Sequence, residues 1–188
     1  MSAWQTLKRA MRRVPALAVI VAVALLAGCG EEETGDNAVE AQEQNTVELG
    51  GVRYRVILFR QLNVRGAPDD ALWEGQPSES GKGLYVVLVR ACAAAGEPAR
   101  MSERIHLEDA FGQRFEPRPA DTADKFEYSA VRLEPSECRP VPGSAADRTF
   151  DGVALVFDVP FESTAERPMI LEIGDPTGSG AARIQLDL

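Results

Sequence analysis

Three cysteines, one histidine and a few adjacent carboxylates are the residues of this chain whose chemistry reaches beyond packing. A thiol can carry a lipid, pair with another thiol, bind zinc or do redox work. Cys29, Cys92 and Cys138 form no Cys-x-x-Cys and no histidine cluster accompanies them, so zinc binding and redox catalysis lack support. His106 stands alone, and any His-based triad or acid–base pair must use it. Glu108 and Asp109 are adjacent, as are Asp69 and Asp70, but neighbours in an extended chain project to opposite sides. Ser80-Gly81-Lys82-Gly83 falls short of a phosphate loop: the spacing from Gly75 is wrong, no Ser or Thr follows Lys82, and a strand comes next. Neither a calcium loop of the Asp-x-Asp-x-Asp-Gly type nor a Gly-x-Ser-x-Gly elbow occurs. The expectation is a protein without catalytic residues, cofactor or bound metal.

The first cysteine has a context that assigns it a role. Lys8, Arg9, Arg12 and Arg13, with no acidic residue among the first 28, precede an apolar run from Val14 to Leu26. That is the basic head and apolar middle of a signal peptide. The run is shorter than the roughly 20 residues a helix needs to cross a bilayer. It ends in Leu26-Ala27-Gly28-Cys29, which resembles the bacterial lipoprotein processing box. The expectation is cleavage after Gly28 and a diacylglyceryl group on the Cys29 sulfur, whose two chains hold firmly to a membrane. From Gly30 to Asn45 the chain carries Glu31, Glu32, Glu33, Asp36, Glu40 and Glu43 and no basic residue. With so little to bury, residues 29–45 read as a lipidated, solvated tether spanning about 20–25 Å as a coil.

Removing the basic head leaves 16 basic against 29 acidic residues in the mature chain, a balance of −13. Such a surface argues against nucleic acid and against electrostatic adhesion to anionic lipid. Lipidation of Cys29 leaves Cys92 and Cys138 in an oxidising compartment, where pairing is expected. Two separate buried thiols are the alternative. A bridge across that separation stabilises by roughly 4 kcal/mol in the chain-entropy model.

The elements that must position these groups are strands. Past Asn45 the dominant pattern alternates with a period of two, broken by Gly, Pro, Asp and Ser. Thr46 to Leu49 and Val52 to Arg60 flank Gly50-Gly51, a pair suited to a tight hairpin, and Val52, Tyr54, Val56 and Leu58 share one face. A long loop from Gly66 to Gly83 surrounds Trp73, expected as a core plug. Leu84 to Val89 is almost continuously apolar and predicts a central strand covered on both faces. Ile105 and Leu107 face inward, leaving His106 and Glu108 on a solvated face, with a turn at Asp109 to Gly112 and a return at Arg114 to Glu116. Glu127 to Leu133, Phe150 to Val159, Met169 to Ile173 and Ala182 to Leu188 complete the strands, with a corner around Cys138. Helical periodicity is absent beyond the signal. Short strands at this spacing predict an all-β fold, an antiparallel two-sheet sandwich over residues 46–188, with a small barrel as the competitor.

The order of segments resembles a family of bacterial Ig-like lipoprotein domains of unknown function, related in fold to a mycobacterial secreted immunoprotective antigen. The matching stretches are Gly51 to Val56, Tyr85 to Val89, Leu107 to Phe115, Leu133-Glu134-Pro135, Val156 to Pro160 and Ile184 to Leu188. Members often have asparagine after the central strand and glycine after the Leu-x-Pro turn, where this chain has the Cys92-Ala93 region and Ser136. The resemblance implies an Ig-like sandwich outside the cytoplasm, no enzyme activity and no transferable site residues. The functional expectation is a non-enzymatic interaction module, held to a membrane by the lipid on Cys29 and meeting an envelope protein or a glycan. A small-ligand or metal carrier, framed by the 66–83 loop and the acidic loops, is the alternative. A hydrolase using His106, Glu108 or Asp109 is the third.

Overall fold

The computed structural model describes residues 38–73, 75–119, 126–178 and 180–187. The expected signal peptide, Cys29 and the first part of the expected tether lie outside the described residues. The strands are β1 (Ala38–Gln42), β2 (Thr46–Leu49), β3 (Val52–Gln61), β4 (Lys82–Ala93), β5 (Ala99–Arg100), β6 (Ile105–Glu108), β7 (Arg114–Phe115), β8 (Arg132–Leu133), β9 (Cys138–Arg139), β10 (Val153–Pro160), β11 (Met169–Gly174) and β12 (Ala181–Leu186). One sheet has the order β1-β12-β11-β6-β7, and the other β10-β4-β3-β2. β9 follows β10 along the same edge of β4, and β5 pairs with β8 in a small separate ladder. The fold is an all-β sandwich.

The core between the sheets is built by alternation. Tyr85, Val87, Val89, Ala91 and Ala93 of β4 meet Leu155, Phe157 and Val159 of β10 and, from the facing sheet, Leu107, Leu171, Ile173 and Ile184. The opposite face of β4 carries Leu84, Val86 and Leu88, which pack under Leu62, Leu72, Trp73, Phe126 and Phe150. Both faces of the central strand are thus buried, as its unbroken apolar run predicts. Trp73 plugs the loop as expected; its Nε1 donates to the Gln76 carbonyl at 3.1 Å, so the buried indole leaves no polar atom unmet.

Several details depart from the sequence reading. The tether does not extend to Asn45: Ala38–Gln42 forms β1 and pairs in parallel with β12, which also makes that sheet mixed rather than purely antiparallel. β1 is held by main-chain bonds at a sheet edge and buries little, so it leaves no apolar alternation to read. In β3 a bulge between Val56 and Leu58 shifts the register, and Phe59 instead of Leu58 enters the main core. Residues 127–133 do not form a continuous strand; a single bridge joins Glu127 to Ala154, and only Arg132–Leu133 pairs further. Among the described residues two short α-helices also appear, α1 (Ala145–Phe150) and α2 (Phe161–Ala165). Six- and five-residue helices are too short to show a period. A local cue does exist for α1, where Ser144 Oγ accepts from Asp147 N at 3.2 Å as an N-cap.

The two ends of the sandwich differ. At one end Ala38 lies beside Ala181, which in turn pairs with Gly174. The Gly50-Gly51 hairpin closes over the same end: a Cβ on Gly50 would stand 2.8 Å from Pro176 Cγ, and its φ of +55° suits glycine. The first described strand therefore begins at this end. At the opposite end lie the β6–β7 turn, the start of β4 and α2, joined by a hydrogen bond between the Asp109 carboxylate and Ser163.

Candidate functional site

A cluster of titratable side chains lies on the outer face of the β1-β12-β11-β6-β7 sheet. Register places His106 opposite Glu172, Glu172 opposite Arg183, and Arg183 opposite Glu40, so one row crosses four strands. The same face of β6 presents Glu108 two residues on, and Arg114 of β7 stands opposite it. Arg183 is the hub: Nη1 donates to Glu172 Oε2 at 2.6 Å and Nη2 to Glu108 Oε1 at 2.8 Å, while Nε lies 3.6 Å from Glu40 Oε1. Arg114 Nε donates to the other Glu108 oxygen at 3.3 Å.

These long side chains cover one another. The His106 side chain is 13% exposed, so it points away from the core as expected but is not solvated. Its Nε2 is buried with no hydrogen-bond partner among the described residues, 3.8 Å from Glu172 Oε2. Hydrogen bonding and charge from Arg183 hold the Glu108 carboxyl below the usual carboxylate range, with burial working the other way. Reciprocally, the bond to Glu108 raises Arg183 above its ordinary value.

His106, Glu108 and Glu172 can each aim one ligand atom at a common point, all within 4.8 Å of one another. Imidazole with two carboxylates suits a borderline divalent cation such as zinc. Arg183 already occupies the space between the carboxylates, so a cation would have to turn its guanidinium aside. The arrangement as it stands is an ion-pair network that closes the face of the sheet.

The other residues singled out from sequence are dispersed. Glu108 and Asp109 diverge: Asp109 turns inward and accepts from Phe111 N and Gln113 N, both at 2.9 Å. Burial opposes its ionised form, and bonds from Gln113, Ser163 and Phe111 outweigh that to keep its carboxyl low. Asp69 is buried and locked to Arg60, with Asn63 N donating at 2.8 Å, whereas Asp70 is exposed. Lys82 of the rejected phosphate loop pairs with Glu79 at 3.1 Å. Cys92 and Cys138 are bonded, S–S 2.09 Å, at directly opposed positions of β4 and β9. A shallow 330 Å³ cavity lies beside them, between Arg139, Val141, Ser129 and Val153. Arg183 and Glu172 carried no distinguishing signal in the sequence, because their meeting depends on the register of β11 against both β6 and β12.

No protein-family model and no curated protein matches the sequence. Among solved structures, the chain is similar to an uncharacterised β-sandwich protein from Clostridium difficile 630, at 14% identity and TM-score 0.48, over 81% of this chain and 96% of that one. It is also similar to a conserved hypothetical protein from Bacillus anthracis, at 13% identity and TM-score 0.46, over 78% and 95%.

Proposed function

We propose that this chain is a bacterial lipoprotein, acylated on Cys29, that displays an Ig-like sandwich on the outer side of a membrane as a non-enzymatic interaction module. The observation that carries the reading is the allocation of cysteines. Cys92 and Cys138 are consumed by a cross-strand disulfide, a bond suited to exported proteins, and the remaining thiol is the one in Leu26-Ala27-Gly28-Cys29. The resemblance to Ig-like lipoprotein domains related to the mycobacterial antigen belongs to the same proposal. The module reading draws on side chains that stabilise one another: Glu108, Asp109 and Asp69 each serve a turn or an ion-pair network. Nucleic acid is disfavoured by the acidic balance.

The test is mass spectrometry of the membrane fraction of expressing cells. An N-terminal peptide beginning at an acylated Cys29 is expected, and Cys29→Ser should leave the protein unprocessed and free of lipid. Acylated or processed Cys29→Ser protein would sink the proposal.

A metal carrier is the second reading, favoured by the unpartnered His106 Nε2 beside two carboxylates. Zinc, nickel and calcium should then raise the melting temperature of the wild type and not of His106→Ala. No shift with any of the three ends this reading.

A further inference from the structure

His106 Nε2 is shut away from solvent and has no hydrogen-bond partner among the described residues. Such an atom gives up its bonds to water and gains none in exchange, a cost that a ligand would remove. It lies 3.8 Å from Glu172 Oε2. With the proton on Nδ1, Nε2 is an acceptor, and so is each oxygen of an ionised carboxylate. Two acceptors facing one another favour a cation between them. Strand register brings in a third group: Glu108 follows His106 on the same face of β6, beside Glu172 of β11. One ligand atom from each of the three lies within 4.8 Å of the others.

The donor set selects the ion. An imidazole nitrogen with two carboxylate oxygens suits zinc, cobalt or nickel, whereas calcium takes a larger shell of oxygens alone. Three protein ligands around zinc leave one position open to water and set ligand atoms about 3.4 Å apart, close to the spacing of the His106–Glu172 pair. Arg183 competes at identified atoms. Its Nη1 bonds Glu172 Oε2, the oxygen that faces His106 Nε2, and its Nη2 bonds Glu108 Oε1. Arg114 Nε holds the other Glu108 oxygen, Oε2, at 3.3 Å. On the far side of Arg183 stands Glu40 of β1, opposite it in register, with Oε1 3.6 Å from Nε. The guanidinium therefore has a carboxylate on either flank, Glu172 on β11 and Glu40 on β1.

We propose that His106, Glu108 and Glu172 bind a borderline divalent transition-metal ion, zinc above all, and that Arg183 is the gate of this site. The guanidinium rests between the two carboxylates as an internal cation and crosses to Glu40 when the ion enters. This rests on the metal-carrier reading and adds what controls it. Charge between Glu108 and Glu172 is neutralised in both states, by arginine in one and by the ion in the other. Because the chain competes with the ion, apparent affinity is the intrinsic affinity scaled by the fraction of molecules whose arginine is turned aside.

Zinc titration of the untagged protein by calorimetry tests this, comparing wild type with Arg183→Met, Arg114→Met and His106→Ala. Methionine keeps an unbranched stem and removes the charge. Arg183→Met should bind zinc roughly tenfold or more tightly than wild type. Zinc should also raise the melting temperature of Arg183→Met by more than that of wild type, because the ion takes over from the lost guanidinium. Arg114 is 59% exposed and screened by water, so Arg114→Met should change affinity by less than about threefold. Equal gains in the two variants would reduce the effect to general charge and refute the gate. Equal affinity in wild type and Arg183→Met would refute it too, and leaves the carrier reading standing. Should the methionine variant not fold, Arg183→Lys keeps the charge and loses the two-pronged bond; it should bind more tightly than wild type, and equal affinity again refutes the gate. Binding to Arg183→Met alone supports the gate and ends the carrier reading. Undiminished binding by His106→Ala puts the ion elsewhere and overturns the site. If neither wild type nor Arg183→Met binds zinc, cobalt or nickel, the gate and the carrier reading fall together.

Discussion

Glu172 and Arg183 sit directly opposite one another on β11 and β12, and the 2.6 Å bond between them organises the outer face of their sheet. Through Nη2 the same guanidinium holds Glu108, so one cation separates two carboxylates that would otherwise repel. Arg183→Ala should therefore destabilise by more than a surface ion pair does, on the order of 2 kcal/mol, because charge-assisted bonds are lost and both acids remain half-buried. Urea unfolding measures this. Arg183→Ala combined with Glu108→Gln and Glu172→Gln should recover part of the loss, since the repulsion is gone. A triple variant less stable than Arg183→Ala would disprove the account.

The direction of the carboxylate shifts fixes a pH dependence. Glu108 is held low by Arg183, and Asp69 by Arg60, in each case with burial opposing. The unfolded chain then binds more protons in the acid range than the folded one, so stability rises with pH there. These contributions are present above the unfolded carboxylate values near 4 and are lost as pH falls through the folded ones. Melting temperature should be level above about pH 5 and fall below about pH 4. Asp69→Asn should shallow that fall; an unchanged slope would exclude Asp69 as a contributor.

How much of this was open to sequence reading depends on what each residue contacts. β4 and β10 declare themselves because both faces are buried and each carries a long apolar run, Leu84 to Val89 and Val153 to Phe157. β1 does not, since its order comes from main-chain pairing with β12 and its one large apolar side chain, Val39, is exposed. For His106, alternation gives the correct side of the sheet and the wrong exposure, because cover comes from Glu172 and Arg183, which are distant in sequence. The β3 bulge swaps Leu58 for Phe59 for a related reason: both are apolar, and only the register with β4 selects between them.

Loss of the disulfide should act mainly through the unfolded chain. The bridge closes a loop with a sequence separation of 46, and removing it should cost about 4 kcal/mol in the chain-entropy model. β9 has only two residues pairing with β4, so it is the segment expected to open first. Cys92→Ala/Cys138→Ala should show a lower urea midpoint than wild type, and hydrogen exchange at residues 138–139 should quicken before that of β4. A reducing agent should shift the wild-type midpoint toward that of the variant. Equal midpoints with and without reductant would contradict this.

Trp73 tests the second apolar layer. It covers the outer face of β4 with Leu72, Leu62 and Phe150, and the Arg118 guanidinium carbon lies 4.8 Å from its ring centroid. Trp73→Ala leaves a void over Leu84, Val86 and Leu88 and should destabilise by about 3–5 kcal/mol. Arg118→Ala removes the cation from the ring and the bond from Nη1 to the Gln76 carbonyl, 3.1 Å. Its cost should be smaller, about 1 kcal/mol. The two residues touch, so their effects should not add: once the ring is gone, the cation has nothing to sit on. A double-mutant cycle by urea unfolding should give the pair a loss smaller than the sum of the singles. Strict additivity would show that the Arg118 contact contributes no stability of its own.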